Sequence, residues 1–234
     1  MFKRISVLLI LAVAILGCSK DDDNSRGDSR RKYVSKIILE QNDRSMTMMI
    51  DYNNKMQITG YSSPNTLIRF EYENDRVVAI KEEINNDDSY KLYYTGGILS
   101  DIYYYSESYP VIYDAANRTY MLDGSGLEFG LDGRDISFFK SANSFQESFT
   151  YDTGKKGPLH DLGGEDIFPV TLFVNSMYYY LSAVPIKTIT VDESGNKKTY
   201  VAENVYDNQG YLIETTQSSD GEVFFKINYE YKVK

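Results

Sequence analysis

The chain has 234 residues, and its 34 acidic side chains outnumber 25 basic ones to give a formal net charge of −9 at pH 7. This acidity argues against nucleic acid as a partner and against binding to anionic membrane faces, because both attract Lys and Arg. The length suits one domain with a sizeable core. A single cysteine forms no internal disulfide, so packing must stabilise that core.

The N-terminus has the pattern of an export signal. Two basic residues precede an apolar run over 5–16, and the small residue Gly17 and the lone Cys18 follow it. The run is too short to span a bilayer, and polar residues come directly after it. This favours a signal peptide over residues 1–17 that is cleaved between Gly17 and Cys18.

The position of the cysteine resembles the lipobox of bacterial lipoproteins. The resemblance implies that the Cys18 thiol receives a diacylglycerol, that cleavage makes Cys18 the first residue, and that its amine is acylated by a fatty acid such as palmitate. Each buried methylene contributes about 0.8 kcal/mol, so two or three chains hold a protein at the outer membrane where one chain does not. An ordinary signal peptide with an incidental cysteine is the alternative.

A charged segment follows the cysteine and begins with Ser19, Lys20, Asp21, Asp22 and Asp23. Runs of like charge repel themselves and stay solvated, so residues 18–32 are expected to form a flexible acidic tether. The run also resembles the export signal of Bacteroidetes lipoproteins, which implies transfer to the cell surface. A periplasm-facing anchor in the outer membrane is the alternative.

The rest of the chain, residues 33–234, has the pattern of a single domain of repeated β-hairpins. In each unit an aromatic strand ends near a tight turn and an aliphatic strand returns, as at 50–58, 70–80, 92–99, 129–136 and 205–213. Apolar residues alternate around each turn, and Asn-Asn, Asn-Asp, Gly-Gly and Asp-Gly pairs tolerate the positive φ of hairpin turns. The predicted fold is all-β, an antiparallel meander of hairpins that forms a strongly curved sheet or open barrel.

These hairpins resemble the tyrosine–aspartate (YD) repeats of Rhs-type proteins. They more closely resemble a family of outer-membrane lipoproteins of unknown function from gut anaerobes, and the likeness is carried by 149–159 and by 206–212, closing on 227–231. Members of that family have a long meandering sheet described as porin-like or barrel-like. The resemblance therefore implies this architecture and an outer-membrane address, and it implies no activity.

The segment 168–183 departs from the repeat. Four of its apolar residues have helical spacing, and prolines lie near its start and just beyond its end. A short helix near 168–183 that plugs or caps one end of the sheet is therefore predicted. A buried strand is the alternative, because β-branched and aromatic residues are plentiful there.

Candidate catalytic or metal-binding residues are few. His160 is the only histidine, and it shares a loop with Asp161, Glu165 and Asp166. Carboxylates and an imidazole suit a divalent cation, but no HxxxH or HExxH spacing accompanies them, and a solvated loop is favoured. No catalytic, metal or cofactor site is predicted.

Two runs of three tyrosines, 103–105 and 178–180, suggest binding surfaces. Tyrosine rings offer flat apolar faces with a polar tip, which suits contact with a glycan or a peptide. On a strand, however, Tyr104 points away from its two neighbours, so packing within the sheet is the favoured interpretation.

Together these features predict a lipid-anchored, non-enzymatic binding or structural protein of the outer membrane, exposed at the cell surface, with a glycan or peptide as ligand. One alternative is a hydrolase acting on glycans or peptidoglycan, which needs two carboxylates facing each other across a cleft. The other is an accessory subunit of a cell-envelope assembly, which would expose a large apolar patch.

Replacing Cys18 with Ala (C18A) is expected to leave the protein unlipidated and uncleaved, because the thiol is the predicted acceptor of the lipid. Mass spectrometry of the purified proteins should give the full-length mass for C18A and a shorter, lipid-modified chain for the wild type. A wild-type chain that is cleaved but carries no lipid would contradict the lipobox interpretation.

Overall fold

The computed structural model describes residues 31–42, 44–82, 89–104, 106–141, 145–162 and 177–234. Sixteen β-strands in these ranges form one antiparallel sheet, in which each strand pairs with its neighbours along the chain. The predicted antiparallel meander of hairpins is thereby confirmed. The strands are β1 (Lys32–Gln41), β2 (Arg44–Tyr52), β3 (Ile58–Ser63), β4 (Thr66–Glu73), β5 (Arg76–Glu82), β6 (Ser89–Thr95), β7 (Ile98–Tyr104), β8 (Glu107–Asp114), β9 (Thr119–Leu122), β10 (Leu127–Asp132), β11 (Asp135–Ser141), β12 (Phe145–Tyr151), β13 (Ile186–Glu193), β14 (Asn196–Tyr206), β15 (Leu212–Ser219) and β16 (Glu222–Val233).

The sheet closes into a barrel because β1 pairs with β16, from Lys32 opposite Val233 to Glu40 opposite Lys226. The expectation of an open barrel or a merely curved sheet is therefore wrong. An open sheet leaves the backbone N–H and C=O groups of two edge strands unpaired, whereas closure pairs them with each other and removes both edges.

The two ends of the barrel carry different connections. Connections that follow even-numbered strands lie at the same end as Lys32, which we call the tether end because the predicted tether would join the barrel there. Connections that follow odd-numbered strands lie at the opposite end, which we call the distal end. The predicted signal segment 1–17 and most of the predicted tether 18–32 lie outside the described residues.

The strands alternate between a buried, mostly apolar inner face and an exposed outer face that mixes charged and apolar side chains. On β2, Met48 and Ile50 are buried whereas Met49 and Asp51 are exposed. The inward residues form a continuous apolar core that runs around most of the barrel. Ion pairs on the outer face join adjacent strands at Lys36–Glu230, Lys81–Glu71, Lys140–Glu128 and Lys226–Glu214, and Arg69–Asp51 joins β4 to β2 across β3. A transmembrane barrel carries an apolar outer band instead.

A repeated tyrosine bond fastens the hairpins at the tether end. A tyrosine near the end of an even-numbered strand donates its hydroxyl hydrogen to a carbonyl oxygen near the start of the preceding strand, with O···O distances of 2.5–2.8 Å. A β-bulge directly precedes most of these tyrosines and re-aims the ring toward the interior. The pairs are Tyr52 and Val34, Tyr72 and Ile58, Tyr94 and Val77, Tyr151 and Ile136, and Tyr231 and Leu212.

The long connection between β12 and β13 closes the tether end. Its two described limbs pair with each other: Gly157 N–H donates to the Ala183 carbonyl and Leu159 N–H donates to the Ser182 carbonyl, both at 2.9 Å. Leucines from both limbs, at positions 159, 162 and 181, belong to the apolar core. The connection therefore acts as a plug for this end.

The predicted helix near 168–183 is wrong in the part that the structure describes. Residues 177–179 form a single 3-10 turn, residues 180–183 are not helical, and the part before 177 lies outside the described residues. In a helix that extends to residue 183, the Ala183 N–H would donate to the carbonyl of Tyr179, whereas here it donates to the carboxylate of Asp135 at 2.6 Å.

No helix among the described residues is long and apolar enough to cross a membrane.

Replacing Tyr52 with Phe is expected to destabilise the barrel by about 1 kcal/mol, because the buried carbonyl of Val34 loses a hydrogen bond while the ring stays in place. For a domain of this size, that loss lowers Tm by roughly 2–4 °C. Tyr93→Phe is the matched control, since that ring is half exposed on the outer face. Thermal denaturation followed by circular dichroism measures both, and equal Tm values for the two variants would contradict the role of the bond.

Candidate functional site

Among the described residues, side chains near the distal end line at least two cavities in the barrel. The larger, which we call the large cavity, has a volume of about 540 Å³. Its lining comes from six adjacent strands, β12–β16 and β1, and from the connection before β13. The lining residues are Leu39, Gln41, Phe145, Glu147, Tyr179, Tyr180, Ile189, Val191, Tyr200, Gln217, Phe224 and Phe225.

Glu147 is the charged residue of the large cavity. Its side chain lies on β12 between the inward-facing Phe145 and Phe149, and the residue is only 3% exposed. The hydroxyl of Tyr178 donates a hydrogen bond to one carboxylate oxygen at 3.1 Å, and the hydroxyl of Tyr179 donates to the other. Among the described residues that line this cavity there is no Lys, Arg or His to offset the negative charge.

Burial is the main influence on the pKa of Glu147. It raises the pKa above the ordinary glutamate value of 4.5, and the hydrogen bonds from Tyr179 and Tyr178 oppose that shift. The two phenols stabilise the ionised carboxylate, whereas the apolar surroundings favour the neutral acid. The group is therefore sensitive to any charge that enters the cavity.

Gln217 adds an amide to the same cavity. It lies on β15 opposite Phe225, is 2% exposed and lines the cavity. Gln41 provides a second, half-buried amide at the distal end of β1. An amide has both hydrogen-bond donors and an acceptor. These two side chains therefore give the cavity wall its neutral polar groups.

The second cavity, which we call the small cavity, has a volume of about 300 Å³ and an aromatic and aliphatic lining. Within it, Tyr90 and Tyr104 stack with ring centroids 4.2 Å apart and an interplanar angle of 5°. Phe139 lines this cavity and stacks on Tyr178, whose hydroxyl reaches Glu147 in the large cavity. An aromatic partition therefore separates the two cavities.

The structure resolves the alternatives for the tyrosine runs. Tyr104 faces inward and lines the small cavity, as the strand alternation predicted, and Tyr105 lies outside the described residues. In the second run, Tyr179 and Tyr180 line the large cavity. These rings contribute to both the core and the cavity walls.

Sequence reasoning missed Glu147 as a site residue. No short motif surrounds it, and the chain holds 34 acidic residues from which to choose. The sequence did contain one indication. In β12 every second residue lies on the same face, so Glu147 lies on the same face as Phe145 and Phe149. A charged residue at a position that the alternation makes inward was the feature to notice.

The loop around His160 serves the tether end. Asp161 accepts hydrogen bonds from the backbone N–H of Lys32 and from the hydroxyl of Tyr211, and the imidazole Nε2 lies 3.9 Å from the other oxygen of Asp161. Burial lowers the pKa of His160. The described residues contain no cluster of three or more side chains suited to a metal ion, and the remaining acidic residues of this loop lie outside them.

A second buried carboxylate, Asp135, also belongs to the tether end. It accepts hydrogen bonds from the backbone N–H groups of Ala183 and Val184 at 2.6 and 3.0 Å. Burial raises the pKa of Asp135 to about 6. Asp135 begins β11 at the tether end whereas Glu147 lies near the distal start of β12, so the two carboxylates do not share a cleft.

Comparison with solved structures finds this fold in porin-like proteins. A porin-like protein from Bacteroides vulgatus aligns with a TM-score of 0.54 at 15% identity, over 86% of this chain and 99% of that chain. One from Bacteroides uniformis aligns with a TM-score of 0.51 at 15% identity, over 85% and 98%. No family model and no curated protein matches the sequence. The predicted porin-like architecture is confirmed at the level of the fold.

Replacing Glu147 with Gln (E147Q) is expected to change how stability depends on pH. Because the pKa of Glu147 is raised in the folded chain, increasing the pH above about 4.5 ionises this residue first in the unfolded chain. The wild type therefore loses unfolding free energy until the pH passes the folded pKa, and E147Q does not. Across this pH range the free energy of unfolding of E147Q should rise relative to that of the wild type. The relative increase should approach about 1.4 kcal/mol for each pH unit by which folding raises the pKa of Glu147.

Urea denaturation at a series of pH values measures this difference. Glu203→Gln is the matched control, because Glu203 is exposed on the outer face of β14. If the difference in unfolding free energy between E147Q and the wild type stayed constant as the pH rises above about 4.5, a raised pKa of Glu147 would be contradicted.

Proposed function

We propose that this protein is a non-enzymatic binding protein of the outer membrane that holds a small amphipathic ligand inside its barrel. The observation that carries the proposal is the large cavity, whose volume of about 540 Å³ lies within the range of small-molecule sites. Its mostly apolar and aromatic wall with a few convergent polar groups is the usual composition of such sites. A ligand bound there would contact Glu147 and Gln217.

This ligand differs from the one that the tyrosine runs suggested. A glycan or peptide on an exposed tyrosine surface would need rings that face solvent, whereas Tyr104, Tyr179 and Tyr180 face the interior. The hydrolase alternative is also less favoured. Paired-carboxylate hydrolysis needs two facing acids, and no second acid is found among the described residues that line the cavity of Glu147.

The outer-membrane address is supported by the lipobox-like Cys18 and by the porin-like fold. The outer face of the barrel carries interstrand ion pairs, which suits contact with water, so the lipid on Cys18 is the proposed attachment to the membrane. The acidic run at Asp21–Asp23 is proposed to direct the protein to the cell surface.

The tether joins the barrel at the end opposite the cavities. The Lys32 ammonium forms an ion pair with Asp207 at 2.6 Å and lies 5.0 Å from the centroid of the Tyr211 ring. The cavity-lining residues, in contrast, occupy the distal halves of their strands. The described chain therefore enters the barrel at the end opposite the cavities.

Filling the large cavity is expected to abolish binding. Val191→Trp places a large ring at an inward position of β13, whereas the control Thr190→Trp places the same ring on the outer face. The apolar dye N-phenyl-1-naphthylamine should bind the wild type and the control saturably, with fluorescence enhancement, and Val191→Trp about tenfold more weakly or not at all. No saturable binding by the wild type, or equal binding by both variants, would contradict the proposal.

A further inference from the structure

The large cavity contains a negative charge that the described protein does not neutralise. Glu147 is almost fully buried, and the groups that contact its carboxylate are the neutral hydroxyls of Tyr178 and Tyr179. A buried carboxylate without a counter-charge is costly, and a cation placed beside it offsets part of that cost. The site is therefore electrostatically incomplete when it is empty.

Aromatic rings form most of the remaining wall. Six of the twelve lining side chains are Phe or Tyr, contributed by β12, β14, β16 and the connection before β13. The faces of such rings carry partial negative charge and attract ammonium groups, most strongly where water is excluded. Rings around a buried carboxylate are therefore complementary to an organic cation and unfavourable for an anion.

The amides at Gln217 and Gln41 extend the same complementarity. An amide oxygen accepts a hydrogen bond from an ammonium N–H, and both side chains line the cavity. The net charge of −9 also attracts cations to the protein from a distance. Carboxylate, aromatic faces and amide oxygens thus favour the same kind of ligand.

We propose that the large cavity binds an organic ammonium ion with an apolar body, whose positive group lies against Glu147 and whose apolar part packs against the aromatic wall. This inference rests on the proposed function, because it names the ligand class of the same cavity. Neutral amphiphiles and fatty carboxylates have the same apolar part but lack the positive charge.

Three probes of equal chain length separate these classes: octylammonium, 1-octanol and octanoate. Each is titrated at neutral pH against wild-type protein that has been loaded with N-phenyl-1-naphthylamine. Octylammonium should displace the dye at a concentration about tenfold lower than 1-octanol, and octanoate should be the weakest. Octylammonium and 1-octanol should displace the dye from E147Q at similar concentrations, because the charge that favours the ammonium group is gone. The control Glu203→Gln, which removes the same charge from the outer face, should behave as the wild type.

The pH dependence of the wild type provides a test without any substitution. Lowering the pH protonates Glu147. The concentrations of octylammonium and 1-octanol that displace the dye should therefore become more similar as the pH falls. Among the described residues, the other titratable groups that line the cavity or contact Glu147 are the phenols of Tyr178, Tyr179, Tyr180 and Tyr200. A phenol has no group that takes up a proton between neutral pH and mild acid.

The outcomes distinguish the two proposals. Equal displacement by octylammonium and 1-octanol, or stronger displacement by octanoate, would overturn the ammonium inference while the binding function stands. Absence of saturable dye binding would overturn the binding function itself. If E147Q fails to fold, as judged by circular dichroism, the pH series decides, and an octylammonium advantage that persists in acid would refute the role of Glu147.

Discussion

Closure of the sheet is the constraint on which the rest of the molecule depends. The pairing of β1 with β16 joins residues almost two hundred positions apart, such as Lys36 and Glu230. Once this pairing forms, every strand has two neighbours and one face is enclosed. The strand alternation then divides the side chains into an apolar interior and a charged exterior. The cavities exist because the enclosed space at the distal end is not completely filled.

Tyrosine has different roles at the two ends of the barrel. At the tether end, the hydroxyls of residues such as Tyr52 and Tyr72 bond to neighbouring carbonyls, and their rings fill the core. Toward the distal end, the rings of Tyr179, Tyr180 and Tyr200 form the wall of the large cavity. One residue type serves both roles because it combines a large apolar ring with a single polar tip. This accounts for the excess of tyrosine in the composition.

Short sequence patterns predicted the individual hairpins of this fold. The hairpin at 70–80 became β4 and β5, and the one at 205–213 became β14 and β15, because alternation and turn residues act over a few positions. Closure could not be predicted, since no local pattern specifies that Lys36 will meet Glu230. Glu147 was missed because its significance arises only when six strands and a connection surround it. The helix prediction failed where the Ala183 N–H found a partner in Asp135, a residue 48 positions away along the chain.

The pair β1 and β16 also has a mechanical consequence. All other adjacent strands follow one another along the chain, whereas these two are held together by noncovalent bonds alone. A force applied to the residues before Lys32 would act at the end of β1 and would load the junction with β16 from that end. The bonds from Lys32 to Asp161 and Asp207 are located at the point of loading. They would bear tension first and would oppose peeling of β1 from the barrel when the protein is pulled from its tether end.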